Sequence, residues 1–125
     1  MKGQFDNNQP IFRQIIEYFL LEIATGALKP GAKVDPVREL ALAYKVSPNT
    51  MQKSLAKLEE MGYLYTERTS GRYVTQDQAL IEGLRSKLPH QITEKYVQDV
   101  EECGIPPEGI PAYIHNYLEG RKSNG

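Results

Sequence analysis

The stretch V46-S-P-N-T-M-Q-K53 decides how this chain is read. Ser47 carries the hydroxyl of a helix N-cap, able to accept from the amide of Thr50, and Pro48 suits the first helical position, where a missing N–H is no loss. The residues that follow, Asn49, Thr50, Gln52 and Lys53, are polar or cationic, so the helix leads with its least apolar turn. Met51, Leu55, Leu58 and Met61 then form a stripe at i, i+4, i+7 and i+10. Gly62 stands where the helix should stop. A helix over about 48 to 61 should therefore dock along its stripe and hold its first turn away from its own fold.

Upstream, Ile11, Ile15, Ile16, Phe19, Leu20 and Ile23 recur at helical spacing up to Gly26, a left-handed stop signal. The connector A27-L-K-P-G-A-K33 holds a Pro-Gly turn. A short helix over about 36 to 44 is expected next, with Pro36 at its start, Glu39 in its first turn, and Val37, Leu40 and Ala41 buried. Lys45-Val46 forms the tight corner before Ser47. Downstream, Y63-L-Y-T-E-R-T-S-G-R-Y-V-T75 alternates around a Thr-Ser-Gly turn, which predicts a hairpin with a polar, basic tip.

Beyond Thr75, Leu80, Leu84, Leu88, Ile92, Tyr96 and Val100, with Ile81 and Val97, predict a long helix interrupted or kinked by Pro89 and closed by Gly104. A shorter helix over about 107 to 119 follows, with Ile110, Ile114, Tyr117 and Leu118 on one side, and the tail RKSNG should fray. Such helices carry more apolar surface than a small domain needs, so self-association is expected through Leu80, Leu84, Leu88, Ile92, Ile110 and Ile114. The fold class is mainly α with a small β-hairpin. A winged helix-turn-helix occupies residues 1–75 and a helical dimerisation tail residues 76–125.

Composition narrows the function. With 125 residues, 40% hydrophobic and 25% charged, the chain suits a globular protein with one main core. No run of 18 apolar residues occurs and MKGQFDNNQP lacks the apolar segment of a signal peptide, so a cytoplasmic location and no membrane are expected. Residues 1–76 carry ten Lys and Arg against eight Asp and Glu, +2, whereas 77–125 carry five against eight, −3. Neither half is basic enough to identify a nucleic-acid partner by charge alone. Cys103 is the lone cysteine, without metal-ligand neighbours, and His90 and His115 have no acid or nucleophile at a working spacing. With no carboxylate pair, phosphate loop or metal cluster, neither an enzyme nor a cofactor is expected. The tyrosines of the hairpin and tail read as packing residues.

A helix with a polar, exposed leading turn and a docked far side can enter the major groove of duplex DNA end first. Asn and Gln suit the adenine edge, Lys suits guanine or phosphate, and hydroxyls suit either. Double-stranded DNA is the expected partner. A winged-helix adaptor that binds proteins without reading DNA is the alternative.

The same residues resemble the GntR-type bacterial transcription regulators over roughly residues 9–75. QPIFRQIIEYFLLEIATGALKPGAKV is similar to that family's opening helix and connector, VREL to its second-helix signature, and VSPNTMQKSLAKLEEMGYL to its recognition helix and the start of its wing. The resemblance implies phosphate or guanine contact by Arg38, DNA contact by Ser47, Asn49, Thr50 and Gln52, and a wing glycine at Gly71 beside Arg72. Lys53, one helical step further on, and Arg68, at the hairpin tip, are added from their positions. Two departures stand out. Val34, Asp35 and Pro36 replace a leucine, proline and serine common in the family, leaving Asp35 as the candidate cap of the second helix. Pro48 replaces a basic residue found in many relatives. The short tail is similar to that of the YtrA-type subclass, which implies a homodimer reading two half-sites and leaves no large pocket for an effector, whose existence the sequence leaves open.

Overall fold

The computed structural model describes residues 10–124. Along the chain run α1 (Ile11–Thr25), α2 (Val37–Tyr44), α3 (Pro48–Glu60), β1 (Leu64–Glu67), β2 (Gly71–Val74), α4 (Gln78–Glu102), a 3-10 turn (Pro107–Gly109) and α5 (Ile110–Asn124). This is a winged helix-turn-helix followed by two helices. One compact unit ends at Arg85 and a second begins at Ser86.

In the first unit, α3 packs on α1 and α2. Ile15, Met51, Leu55 and Leu58 are each fully buried, and Phe19, Ile23, Leu40 and Ala41 close around them. Burying one such aliphatic side chain is worth roughly 1.5–3 kcal/mol, so this seam dominates the local energetics. Tyr44, which periodicity alone did not single out, is also in the core. Its ring stacks on Phe19 at 5.8 Å between centroids and meets Tyr18 edge-on at 6.1 Å. Burial, then the nearby Glu22 and Tyr18, push its phenol well above the ordinary tyrosine range.

The corner before α3 is tight. Lys45 adopts φ +58°, and it is the one non-glycine with positive φ among the described residues. Its amide and that of Val46 bond back to Leu42 and Ala41 carbonyls, which closes α2 with the chain already turned. Asp35 does not cap α2 as expected. The N-cap is Pro36 and no side-chain cap bond forms, because the extended Pro36 backbone fixes the start of the helix instead. Val37 is half-buried rather than buried.

The wing differs from expectation in two details. β1 and β2 pair antiparallel, Leu64 with Val74 through Glu67 with Gly71, so the turn is Arg68–Ser70 and Gly71 already belongs to β2. A third segment joins them. Lys33 bridges Tyr73, while the amides of Gly31 and Val34 donate to the carbonyls of Val74 and Arg72, so the connector after α1 becomes an edge of the wing.

Past the wing, the Asp77 side chain accepts from the amide of Leu80 at 3.1 Å and caps α4. The first turns of α4 fold onto the winged unit, with Ile81 and Leu84 buried and the Arg85 guanidinium donating to the carbonyl of Ala24 at 2.8 Å. The compact unit thus extends ten residues beyond Thr75, the expected end of the winged domain. α4 is a single helix through Pro89. Pro89 has no N–H for the carbonyl of Arg85, the residue at which the first unit ends. In the second unit α5 runs to Asn124, so Arg121–Asn124 are helical rather than frayed, and Gly125 lies outside the described residues. The Pro-Pro pair at 106–107 places the 3-10 turn first and delays α5 to Ile110.

Replacing Lys45 by Gly removes the Cβ that a left-handed residue must accommodate. The expected outcome is a gain of about 1 kcal/mol in urea unfolding, with the far-UV spectrum unchanged. A loss of stability would show that the corner carries no strain.

Candidate nucleic-acid interface

The first turn of α3 is built by Ser47 and Pro48. The Ser47 hydroxyl accepts from the Thr50 amide at 3.1 Å and donates to the Thr50 hydroxyl at 2.8 Å. The cap therefore forms as its sequence predicts, and it also engages both hydroxyls with each other. Thr50 is half-buried, and its carbonyl accepts from Ser54 at 2.9 Å. Asn49, Gln52 and Lys53 are exposed and make no hydrogen bond or ion pair among the described residues. Free amide groups on a capped, rigid turn are what reading a base edge requires, since little side-chain order remains to be imposed on the backbone.

Arg38, on the first turn of α2, is exposed and pairs with neither Glu39 nor Glu22. It lines a concavity of about 330 Å3 between α2 and the start of α3, together with Ala41, Leu42, Val46 and Pro48. Lys57, by contrast, is occupied by Glu60 at 3.3 Å.

The wing places its two arginines differently. Arg68 is exposed at the tip without an ion pair among the described residues. Arg72 is drawn inward: its side chain is 20% exposed and its Nε donates to Glu59 on α3 at 3.1 Å. Thr66 donates to both oxygens of the same carboxylate at 2.9 Å. Glu59 thus ties the hairpin to the helix, and the Arg72 guanidinium belongs to this tie. Gly71 has φ +123°, and a Cβ there would come within 3.3 Å of the Lys33 side chain. The Lys33 stem therefore lies across the wing glycine and brings a cation to the strand edge. Sequence reading missed Lys33, since no local pattern pairs residue 33 with residue 71.

The tail candidates also separate. Leu84 is 3% exposed, covered by its own winged unit, and Leu80 is half-buried beside Gly62. Leu84 therefore serves the fold of the winged unit rather than an outer face. Ile110 is buried within the second unit, Leu88 is half-buried, and Ile92 and Ile114 are exposed. Tyr96, Val100, Tyr113, Ile114, Tyr117 and Leu118 line a largely apolar groove of about 490 Å3 in that unit. No helix is long and apolar enough to cross a membrane, and no group of His, Cys, Asp or Glu could hold a metal ion, both among the described residues.

If Glu59 holds the wing, Glu59→Ala should accelerate hydrogen exchange at the amides of β1 and β2 by roughly fivefold, a loss of about 1 kcal/mol, while α1 keeps its protection. Unchanged exchange in the hairpin would count against the tie.

Comparison with known proteins agrees with this architecture. The family described as bacterial regulatory proteins, gntR family, matches residues 12–74. The uncharacterized HTH-type transcriptional regulator YhcF of Bacillus subtilis is 31% identical over 96% of this chain and 99% of its own. The HTH-type transcriptional repressor YtrA of the same organism is 30% identical over 94% of each. Among solved structures, a GntR family transcriptional regulator from Listeria monocytogenes is 39% identical with TM-score 0.79, over 90% of this chain and 98% of that one. AraR(DBD) in complex with operator ORE1 covers 60% of this chain and 94% of its own, at 26% identity and TM-score 0.51. Likeness along the whole length of two relatives, together with the shared winged domain and short helical tail, makes this chain a transcriptional regulator of the GntR family, of the YtrA type.

Proposed function

We propose that the protein is a cytoplasmic, sequence-specific DNA-binding repressor that acts as a homodimer by occluding a promoter. The observation that carries this reading is the first turn of α3, where Asn49, Gln52 and Lys53 stand exposed and without a partner among the described residues, on a helix whose opposite side is buried. Its support from relatives is the repressor named YtrA and the operator complex of AraR(DBD). Affinity comes largely from phosphate contacts by Arg38, Lys53 and Arg68, joined by Lys33 on the wing edge, and selectivity from Asn49, Gln52 and the paired hydroxyls of Ser47 and Thr50. Gly71 gives the wing backbone a close approach to the duplex, while Arg72 supports the wing from behind.

Dimerisation is assigned to the second unit. Ile92, Tyr113, Ile114, Tyr117 and Leu118 are all more than a third exposed there, which is a large apolar surface for a segment of 40 residues. A second copy of the same groove covers it in a two-fold arrangement, which sets two α3 helices to read half-sites about 34–36 Å apart, or a multiple of that.

Selection of bound fragments from random DNA should enrich a two-fold symmetric motif. On that motif, Arg38→Ala should weaken binding to every sequence and reduce the slope of log affinity against log salt by about 1, whereas Asn49→Ala should cost roughly 1–3 kcal/mol of discrimination at one base pair. No enrichment from the random pool would end the reading.

Ile114→Glu with Leu118→Glu should yield a monomer by analytical ultracentrifugation and abolish tight binding to the full operator. A charge at the buried Leu84, by contrast, would disrupt the winged unit itself. A monomer that still binds the full operator tightly would break the link between tail and DNA.

A further inference from the structure

Leu42 is 80% exposed, more than any other large hydrophobic side chain among the described residues. A single surface leucine needs no explanation. Leu42, however, does not stand alone: with Ala41, Val46 and Pro48 it lines the concavity at the helix-turn-helix corner, about 330 Å3, next to the readers of α3. Among the described residues Arg38 is its one charged lining residue, and no acid takes part. Pro48 has neither a polar side chain nor a backbone N–H to offer, so at its first helical position α3 presents only an apolar ring.

We propose that this corner receives the C5-methyl group of a thymine in each half-site, with Leu42 and Pro48 as specificity-determining residues. The inference rests on the DNA-binding reading above. In the major groove, thymine is the one base that displays an apolar group, the methyl at C5. A nucleotide that couples this methyl to an anionic phosphate matches a lining that is apolar except for one guanidinium. Cytosine or adenine at that place would bring an amino group against side chains that offer it no acceptor, and would be disfavoured.

Single replacement of each operator thymine by uracil removes only the methyl. Fluorescence anisotropy on the full-length protein should find one thymine per half-site at which uracil lowers affinity about fourfold, the worth of one buried methyl-sized group. Leu42→Ser should bind the thymine operator about fourfold more weakly and respond less than twofold to uracil there. Because Leu42 is exposed, its melting temperature should stay near that of the wild type, and Pro48→Ser should repeat the loss of methyl sensitivity. Equal sensitivity in wild type and variants, or no sensitive thymine at all, overturns the proposal. So does a Leu42→Ser protein that reads both operators like the wild type yet fails to repress transcription, which would assign the corner to a protein partner. An enriched operator with those results removes this inference alone, whereas the absence of any enriched operator removes the DNA-binding reading with it.

Discussion

The fold turns on the burial of one stripe. Met51, Leu55 and Leu58 are fully enclosed between α1 and α2, and that enclosure fixes the rotation of α3 about its own axis. With the rotation set, every other residue of the helix has its direction assigned: Asn49, Gln52 and Lys53 face away, Ser54 is enclosed and bonds back to Thr50, and Glu59 meets the wing. A helix that could roll on a loose seam would present different side chains at different moments. Rigid presentation is what lets a few polar side chains discriminate between bases.

From this seam the rest is organised by short-range devices. The Ser47 cap and the left-handed Lys45 bring α2 and α3 around a corner of three residues, and that corner creates the concavity bounded by Arg38 and Pro48. The hairpin continues from Gly62 and is held to the back of α3 by Glu59 through Arg72 and Thr66. Lys33 then lies across Gly71, so the connector after α1 and the wing form one surface. α3 and the wing are therefore tied together by side chains, which in the proposed DNA-binding role lets both engage adjacent parts of a duplex.

Much of this was legible beforehand. The stripe of α3 from Met51 to Leu58, the Ser47 cap, the stop at Gly62, the hairpin and the two further helices all follow from periodicity and capping chemistry, which act within a few residues, whereas Met61, expected in the same stripe, is exposed at the end of the helix. What was not legible involved partners far apart in the chain. Arg72 looked like a free wing cation because nothing local announces Glu59, thirteen residues earlier. Leu84 shared its spacing with Leu88 and Ile92, and periodicity cannot tell which turns of one helix face their own domain and which face outward. Lys33 was overlooked for the same reason, as its neighbour Gly71 is set by sheet pairing.

The amino-acid order by itself determined the elements, their sequence, the face of α3 that docks and the family resemblance, since each depends on side-chain pattern along a local backbone. Tertiary structure alone decided which cations are free and which are tied, where the winged unit ends along α4, and that Leu42, Val46 and Pro48 meet in one apolar corner. Those outcomes depend on distances between segments that meet only when the chain folds, and neither spacing nor composition encodes them directly.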